Sequence, residues 1–148
     1  MRTQTVVIEE ATELHPDLVE AFQRLMPQSH PTLSPPTEPE LHEVIRSAST
    51  RLLLARDGDG GAVIGTATVV LYRTPARMHA RLENVVVDEP ARGRGAGEAL
   101  TREAVKIAQD AGASVIELNT NARREVANRL YQRVGFARHH TNCYWIKF

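Results

Sequence analysis

The chain has a single cysteine, Cys143, in 148 residues. One thiol excludes an intrachain disulfide and most cysteine-based metal sites, and it fits a reducing compartment. Net charge is lacking as well. Eighteen basic and eighteen acidic residues sum to +0, so no whole-molecule field favours nucleic acid or an anionic membrane. Any anion has to be held locally. Long hydrophobic runs are also missing: the N-terminal stretch MRTQTVVIEEATELHPDL turns polar after three apolar residues, too soon for a signal-peptide core or a bilayer span. The expected location is therefore cytoplasmic. What is present, 42% hydrophobic and 24% charged residues, suits one domain over residues 1–148 with a core of its own.

Periodicity sets the order of elements. TQTVVIEEA alternates and is β-branched, which predicts a first strand, with Thr12 as the cap of the following helix. LHPDLVEAFQRLM places Leu14, Leu18, Phe22, Leu25 and Met26 on one side of that helix. PQSHPTLSPPTEP then holds five of the eight prolines and predicts a stiff loop, a rigid connector or a substrate lid. A short helix from Glu38 to Ala48 follows. RLLLAR, the turn DGDGG and AVIGTATVVLY predict a β-hairpin. ARLENVVVD is a third strand in succession, buried on both faces. A helix carrying Leu100, Ala104, Ile107, Ala108 and Ala111 stops at Gly112. SVIELN predicts a strand, RREVANRLYQRV a helix and GFARHHTNCYWIKF a terminal hairpin-like pair. The predicted order is β-α-α-β-β-β-α-β-α-β-β, an α/β (α+β) single domain.

Between the third of those consecutive strands and its helix lies DEPARGRGAGEA. Backbone N–H groups at a helix start have no intrahelical partner, and the helix dipole adds positive potential there. Glycines let a bulky anion approach, and Arg92 and Arg94 supply charge, so the expected ligand is a phosphate or pyrophosphate. A nucleoside-triphosphate loop is excluded because no lysine follows these glycines until Lys106. The dinucleotide fingerprint fails in both registers, since its third glycine falls on Glu98 or Leu100. A dinucleotide-binding oxidoreductase, with Glu117 as its ribose-binding acid, stands as an alternative. The pattern [QR]-x-x-G-x-[GA] is met by Arg92, Gly95 and Gly97.

With that turn, residues 83–112 resemble the pyrophosphate-binding motif of the GNAT superfamily of acyl-coenzyme A-dependent N-acetyltransferases. ANRLYQRVGF, residues 127–136, resembles the motif that follows it, A-x-x-L-Y-x-x-x-G-F. One departure is Arg124, at a position where many members carry Asn. The resemblance implies a mixed, mostly antiparallel central sheet flanked by helices. It also implies acetyl-coenzyme A as acyl donor, a primary amine on a small molecule or protein as acceptor, and direct attack without a covalent enzyme intermediate. Val85, Val86 and Val87 would offer main-chain groups to the pantetheine arm. Arg92, Gly93, Arg94, Gly95, Ala96 and Gly97 would cradle the pyrophosphate, and Asn128 and Tyr131 would complete the cofactor site. An N–H near Val86 or Val87 would stabilise the oxyanion.

Two residues are the catalytic candidates. Tyr131, at the motif tyrosine, would donate its phenolic proton to the departing thiolate. Glu83 would be the general base, on the face of Val85 and Val87 unless a bulge intervenes. His139, His140 and Cys143 lack a fourth ligand, and no metal is expected. His30 and His79 are candidate substrate contacts or surface histidines. Tyr144 and Trp145 suit core or dimer contacts, and the resemblance admits a homodimer through the terminal strands. A non-catalytic acyl-coenzyme A sensor is the non-enzymatic alternative.

Overall fold

A computed structural model describes residues 5–148, so the first residues of the predicted N-terminal strand, Thr3 and Gln4, lie outside the described residues. Five strands form one sheet in the order β1 (Val6–Glu10), β2 (Thr50–Asp57), β3 (Val63–Arg73), β4 (Met78–Val87), β5 (Val115–Glu117). The first four pair antiparallel and β5 runs parallel to β4. This is the mixed sheet flanked by helices that the sequence leads one to expect. Among the described residues, no helix is long and apolar enough to cross a membrane.

Two clusters hold the sheet from its two faces. On one face α3 (Ala96–Asp110) buries Leu100, Ala104 and Ala108 against Leu53, Ala67, Val69, Ala80 and Leu82. On the other, α1 (Pro16–Ser29) and α2 (Glu38–Arg46) bury Leu18, Phe22, Leu25 and Leu41 against Leu52, Leu54, Val63 and Val86. Period-two alternation along β2 is what sends Leu53 one way and Leu52 and Leu54 the other. Each fully buried leucine stabilises the fold by about 2 kcal/mol through apolar area removed from water.

Helix ends differ from expectation. Thr12 does not cap α1: the cap position is His15, and Pro16, whose fixed φ suits a first helical residue, starts the helix later. The helix also runs through Pro27 to Ser29, without the backbone hydrogen bond that a residue with an N–H at position 27 would donate to Gln23. The second helix begins at Glu38 as predicted but ends at Arg46 rather than Ala48. Its cap is complete: Glu40 N–H donates to Thr37 Oγ1 at 3.3 Å, and Thr37 Oγ1 donates to Glu40 Oε1 at 2.9 Å.

The larger difference is at the C-terminus. After α4 (Glu125–Val134) the two predicted strands are absent: residues 137–148 form no helix, strand or turn and are exposed throughout. Tyr144 and Trp145, expected in a core or dimer contact, are each 86% exposed. A strand exists only when its backbone groups find a ladder, and β5 ends the sheet with its outer edge unpaired among the described residues.

Candidate active site

The site is built on a mismatch of strand lengths. β4 and β5 pair only at His79–Val115, Ala80–Ile116 and Arg81–Glu117, after which β5 stops and β4 continues to Val87. Residues 82–87 therefore present one backbone edge to β3 and leave the other open. Strand alternation tells which groups use that edge. Asp88 N–H donates to Ile64 O at 2.8 Å, so the N–H of Val86 points to β3 as well, and that of Val87 points into the opening.

A bulge interrupts β4 at its midpoint. Thr66 faces Val86 and Thr68 faces Glu83, which sets Asn84 and Val85 together against Ala67. Asn84 carries the strain, with φ 52°, in the left-handed region that few non-glycine residues enter. The extra residue turns the strand over. Val85 and Val87 pack with the α3-face cluster, while Val86 packs with the α1–α2 cluster. Glu83 is thus not on the face of Val85 and Val87. It shares the opposite face with Arg81, whose Nε donates to Glu83 Oε1 at 2.9 Å. The same guanidinium donates to Asn119 Oδ1, just past β5, and lies 3.8 Å from Glu117. Arg81 bridges the two strands where their main-chain ladder ends.

The glycine turn has the predicted form. A single 3-10 turn, Glu89–Ala91, leads from β4, and α3 begins after Gly95 in left-handed conformation, φ 83°. That cap residue makes no side-chain cap bond, and the first intrahelical donor is Ala99 N–H to Gly95 O at 3.0 Å. The N–H groups of Ala96, Gly97 and Glu98 precede it and have no intrahelical acceptor. Added Cβ atoms at Gly93 or Gly95 would meet nothing within 4 Å, whereas one at Gly97 would sit 3.2 Å from Leu130 Cδ1. The first two glycines thus serve backbone conformation and approach, and the third serves helix packing.

The two arginines of the turn are already engaged. Arg92 Nε donates to Val87 O at 3.1 Å, and its NH2 to Gln28 Oε1 at 3.4 Å. Arg94 pairs with Asp57 at 2.7 Å, a contact that holds it further in its charged form. The Asp57 carboxylate offsets the charge of Arg94, whereas the partners of Arg92 are neutral and leave its charge in place. The turn is also tied to α1: Arg24 Nε and Gln28 Nε2 each donate to Asp88 at 2.9 Å, and Glu89 N–H donates to Gln28 Oε1 at 3.1 Å. Burial would raise the Asp88 pKa, but the bonds from Gln28 and Arg24 outweigh it and hold the carboxyl below its usual value.

Tyr131 lies on α4, 9% exposed, with Phe136 against its ring edge at 5.9 Å between centroids. Burial pushes its phenol pKa up, and the nearby Arg124 charge opposes that shift. It lines an open groove of about 1100 Å³ along β5, together with Leu118, Thr120 and Asn128. Asn128 spends its side-chain amide on the loop before α4, donating to Arg124 O at 2.8 Å and Asn121 O at 3.0 Å. Arg124 is the cap residue of α4 and makes no side-chain cap bond. His79 stacks on Tyr72, with ring centroids 4.8 Å apart. His30 bonds its neighbour Ser29 at 2.8 Å.

Sequence reasoning missed Arg81, Asn119, Gln28 and Asp57. Arg81 had a readable signal, two residues before Glu83 on a strand and so on its face. The other three come from distant segments and had none.

A strand that outruns its parallel neighbour and leads into an uncapped glycine-rich helix start defines a class of fold and site. The chain belongs to the acetyltransferase (GNAT) family, whose sequence profile matches residues 15–136. It is 33% identical over 81 residues to the probable N-acetyltransferase family 8 member 5 of Mus musculus, covering 53% of this chain and 36% of that protein. It is 39% identical over 82 residues to the aminoalkylphosphonate N-acetyltransferase of Salmonella typhimurium, covering 54% of this chain and 53% of that one. The match thus spans about half or less of the length of these relatives. A putative acetyltransferase from Agrobacterium tumefaciens superposes with a TM-score of 0.81 at 23% identity, covering 95% of this chain and 99% of that one. At that identity the likeness is one of fold.

Proposed function

We propose that the protein transfers an acetyl group from acetyl-coenzyme A to a primary amine of a small molecule or protein, by direct attack. The observation that carries this reading is the open edge of β4 beyond Arg81, continuous with the uncapped start of α3. An extended amide-bearing arm suits the first as an added strand, and a pyrophosphate suits the second. Residues 92–97 fit the phosphates by their backbone: two left-handed glycines with open space over them, and a first helical turn of unpartnered N–H groups. Val85 and Val87 would pair with the arm, with Asn128 and Tyr131 beside it.

Acetyl-coenzyme A, when bound, supplies the thioester carbon that the amine attacks, so that a C–N bond forms as the C–S bond breaks. The N–H of Val87 points into the opening and would donate to the thioester oxygen. Glu83 would take the proton from the attacking amine, and the Tyr131 hydroxyl would give its proton to the leaving sulfur. The base lies on the α1–α2 face and the tyrosine packs with the α3-face cluster. Proton removal and proton delivery are thereby separated by the strand. Neither step needs a covalent enzyme intermediate.

Calorimetric titration with acetyl-coenzyme A, with NADH as the comparison, tests the reading. Saturable binding of acetyl-coenzyme A alone, followed by turnover on an amine panel that begins with aminoalkylphosphonates, supports it. Binding without turnover on any amine would leave a sensor, and binding of NADH alone would overturn the acyl-transfer reading.

A further inference from the structure

The first turn of α3 carries a carboxylate where an anion would have to bind. Gly95 is the cap residue, so Glu98 stands three positions past it and is the acidic residue of that turn. A glutamate at this position ordinarily reaches back to the free N–H groups of its own helix start, the carboxylate half of a capping box, and its charge satisfies the positive end of the helix. Those N–H groups are the ones assigned above to the pyrophosphate. Left to itself, the Glu98 carboxylate would fill the cradle or repel what enters it.

The carboxylate goes elsewhere. Arg133 Nε donates to Glu98 Oε1 at 2.6 Å, and Arg102 Nε, one turn along α3, lies 3.8 Å from Glu98 Oε2. The Gly95 cap keeps no side-chain hydrogen bond. Helix packing sets up this arrangement. A Cβ added at Gly97 would lie 3.2 Å from Leu130 Cδ1 on α4, so the two helices meet there. Glu98 is one residue past that contact on α3, and Arg133 is close to one turn past it on α4. The hydrogen bond from Arg133 leads the contacts that hold the Glu98 carboxyl below its usual pKa, against the opposing effect of burial. The group therefore stays charged and is displaced from the helix start. Both arginines are more than half exposed, so the contacts add little to stability, and what they decide is where the carboxylate sits.

We infer that Arg133 is a positioning residue for the coenzyme site: it draws the Glu98 carboxylate sideways and keeps the N–H groups at the start of α3 free for the coenzyme's phosphates. The inference rests on the acetyl-coenzyme A reading of this turn. Arg133 acts through Glu98 and not on a phosphate itself. The segment ANRLYQRVGF then has two separate duties, Tyr131 at the leaving sulfur and Arg133 at the pyrophosphate.

The two halves of the pair should act in opposite directions in calorimetric titrations with acetyl-coenzyme A. Arg133→Met releases the carboxylate toward the helix start and should weaken binding about 5- to 10-fold. Glu98→Gln removes the competing charge and should bind at least as tightly as the native chain. The double variant should return to native affinity within about twofold. Arg133→Lys keeps a charge and a donor and should bind more tightly than Arg133→Met. Circular dichroism should be the same for all four. A brace between α3 and α4 would lose affinity equally when either partner is removed, and a direct phosphate ligand at position 133 would gain nothing from Glu98→Gln. Either result overturns the inference.

A readout without coenzyme separates this inference from the acetyl-transfer reading. From about pH 3 to 7, across the carboxyl range, amide NMR shifts of Gly95 and Ala96 should follow the titration of Glu98 strongly in Arg133→Met and weakly in the native chain. Equal responses in the two chains overturn the inference even where acetyl-coenzyme A binds. A native chain that binds no acetyl-coenzyme A overturns the acetyl-transfer reading, and the amide shifts still decide whether Arg133 holds Glu98 out of the turn.

Discussion

Arg81 Nε lies 2.9 Å from Glu83 Oε1, on the face of β4 opposite Val85 and Val87. The pair stands where the β4–β5 ladder ends, and the Asn84–Val85 bulge sets its orientation. The guanidinium fixes the carboxylate and ties it to Asn119 across the opening. If Glu83 is the base, Glu83→Gln should lower kcat by about 10²–10⁴ and change the pH–rate profile. Unchanged profiles in steady-state assays would end that role. Arg81→Lys should keep more activity than Arg81→Met, because a lysine retains the charge but not the forked contact.

Tyr131 makes a prediction at the alkaline end. Burial raises its pKa above 10.0, so the phenol stays protonated in the fold at pH values where the unfolded chain has lost that proton. Its contribution to stability is fully present below the unfolded value and is lost as pH rises through the folded one. Urea unfolding from pH 8 to 11 should show stability falling above about pH 10, and Tyr131→Phe should reduce that fall. The same variant should lower turnover while leaving acetyl-coenzyme A affinity within about twofold, the separation of kcat from binding expected of a proton donor.

Asp88 behaves oppositely. Burial works to raise its pKa, yet Gln28 and Arg24 hold it below 3.8. The stabilisation is present above the unfolded value and is lost as pH falls through the folded one. Arg24 is 42% exposed, so solvent screens the pair and a contribution of about 0.5–1 kcal/mol is expected. Asp88→Asn should cost that amount at pH 7 and little at pH 2, measured by thermal unfolding at both.

The glycines of the turn should separate by role. Gly95→Ala forces a side chain into the left-handed region at φ 83° and should cost about 1–2 kcal/mol. Gly97→Ala meets Leu130 Cδ1 at 3.2 Å, the far end of a flexible side chain, and should cost about 1 kcal/mol or less. Calorimetry should find acetyl-coenzyme A binding weakened more by the first substitution than by the second, since Gly95 sets the aim of the unpartnered N–H groups.

Most of the fold was legible because it rests on local patterns. Apolar and β-branched runs in RLLLAR and TATVV marked β2 and β3, and the second helix opens at Glu38, just ahead of its apolar positions Leu41, Val44 and Ile45. The Arg92, Gly95 and Gly97 spacing likewise marked the turn before α3. The phase of β4, by contrast, depends on the Asn84–Val85 bulge, which no periodicity announces.

By itself the sequence determined the elements from β1 to α4 and the glycine turn, because each depends on neighbours a few residues apart. Only the tertiary structure decided which side of β4 carries Glu83, that Asp57 and Gln28 engage the arginines of the turn, and that the tail stands away from β5. Those outcomes depend on contacts between distant segments. Strand alternation sets a phase, but one bulged residue reverses it. Apolar composition marks a segment for burial without saying which surface will cover it.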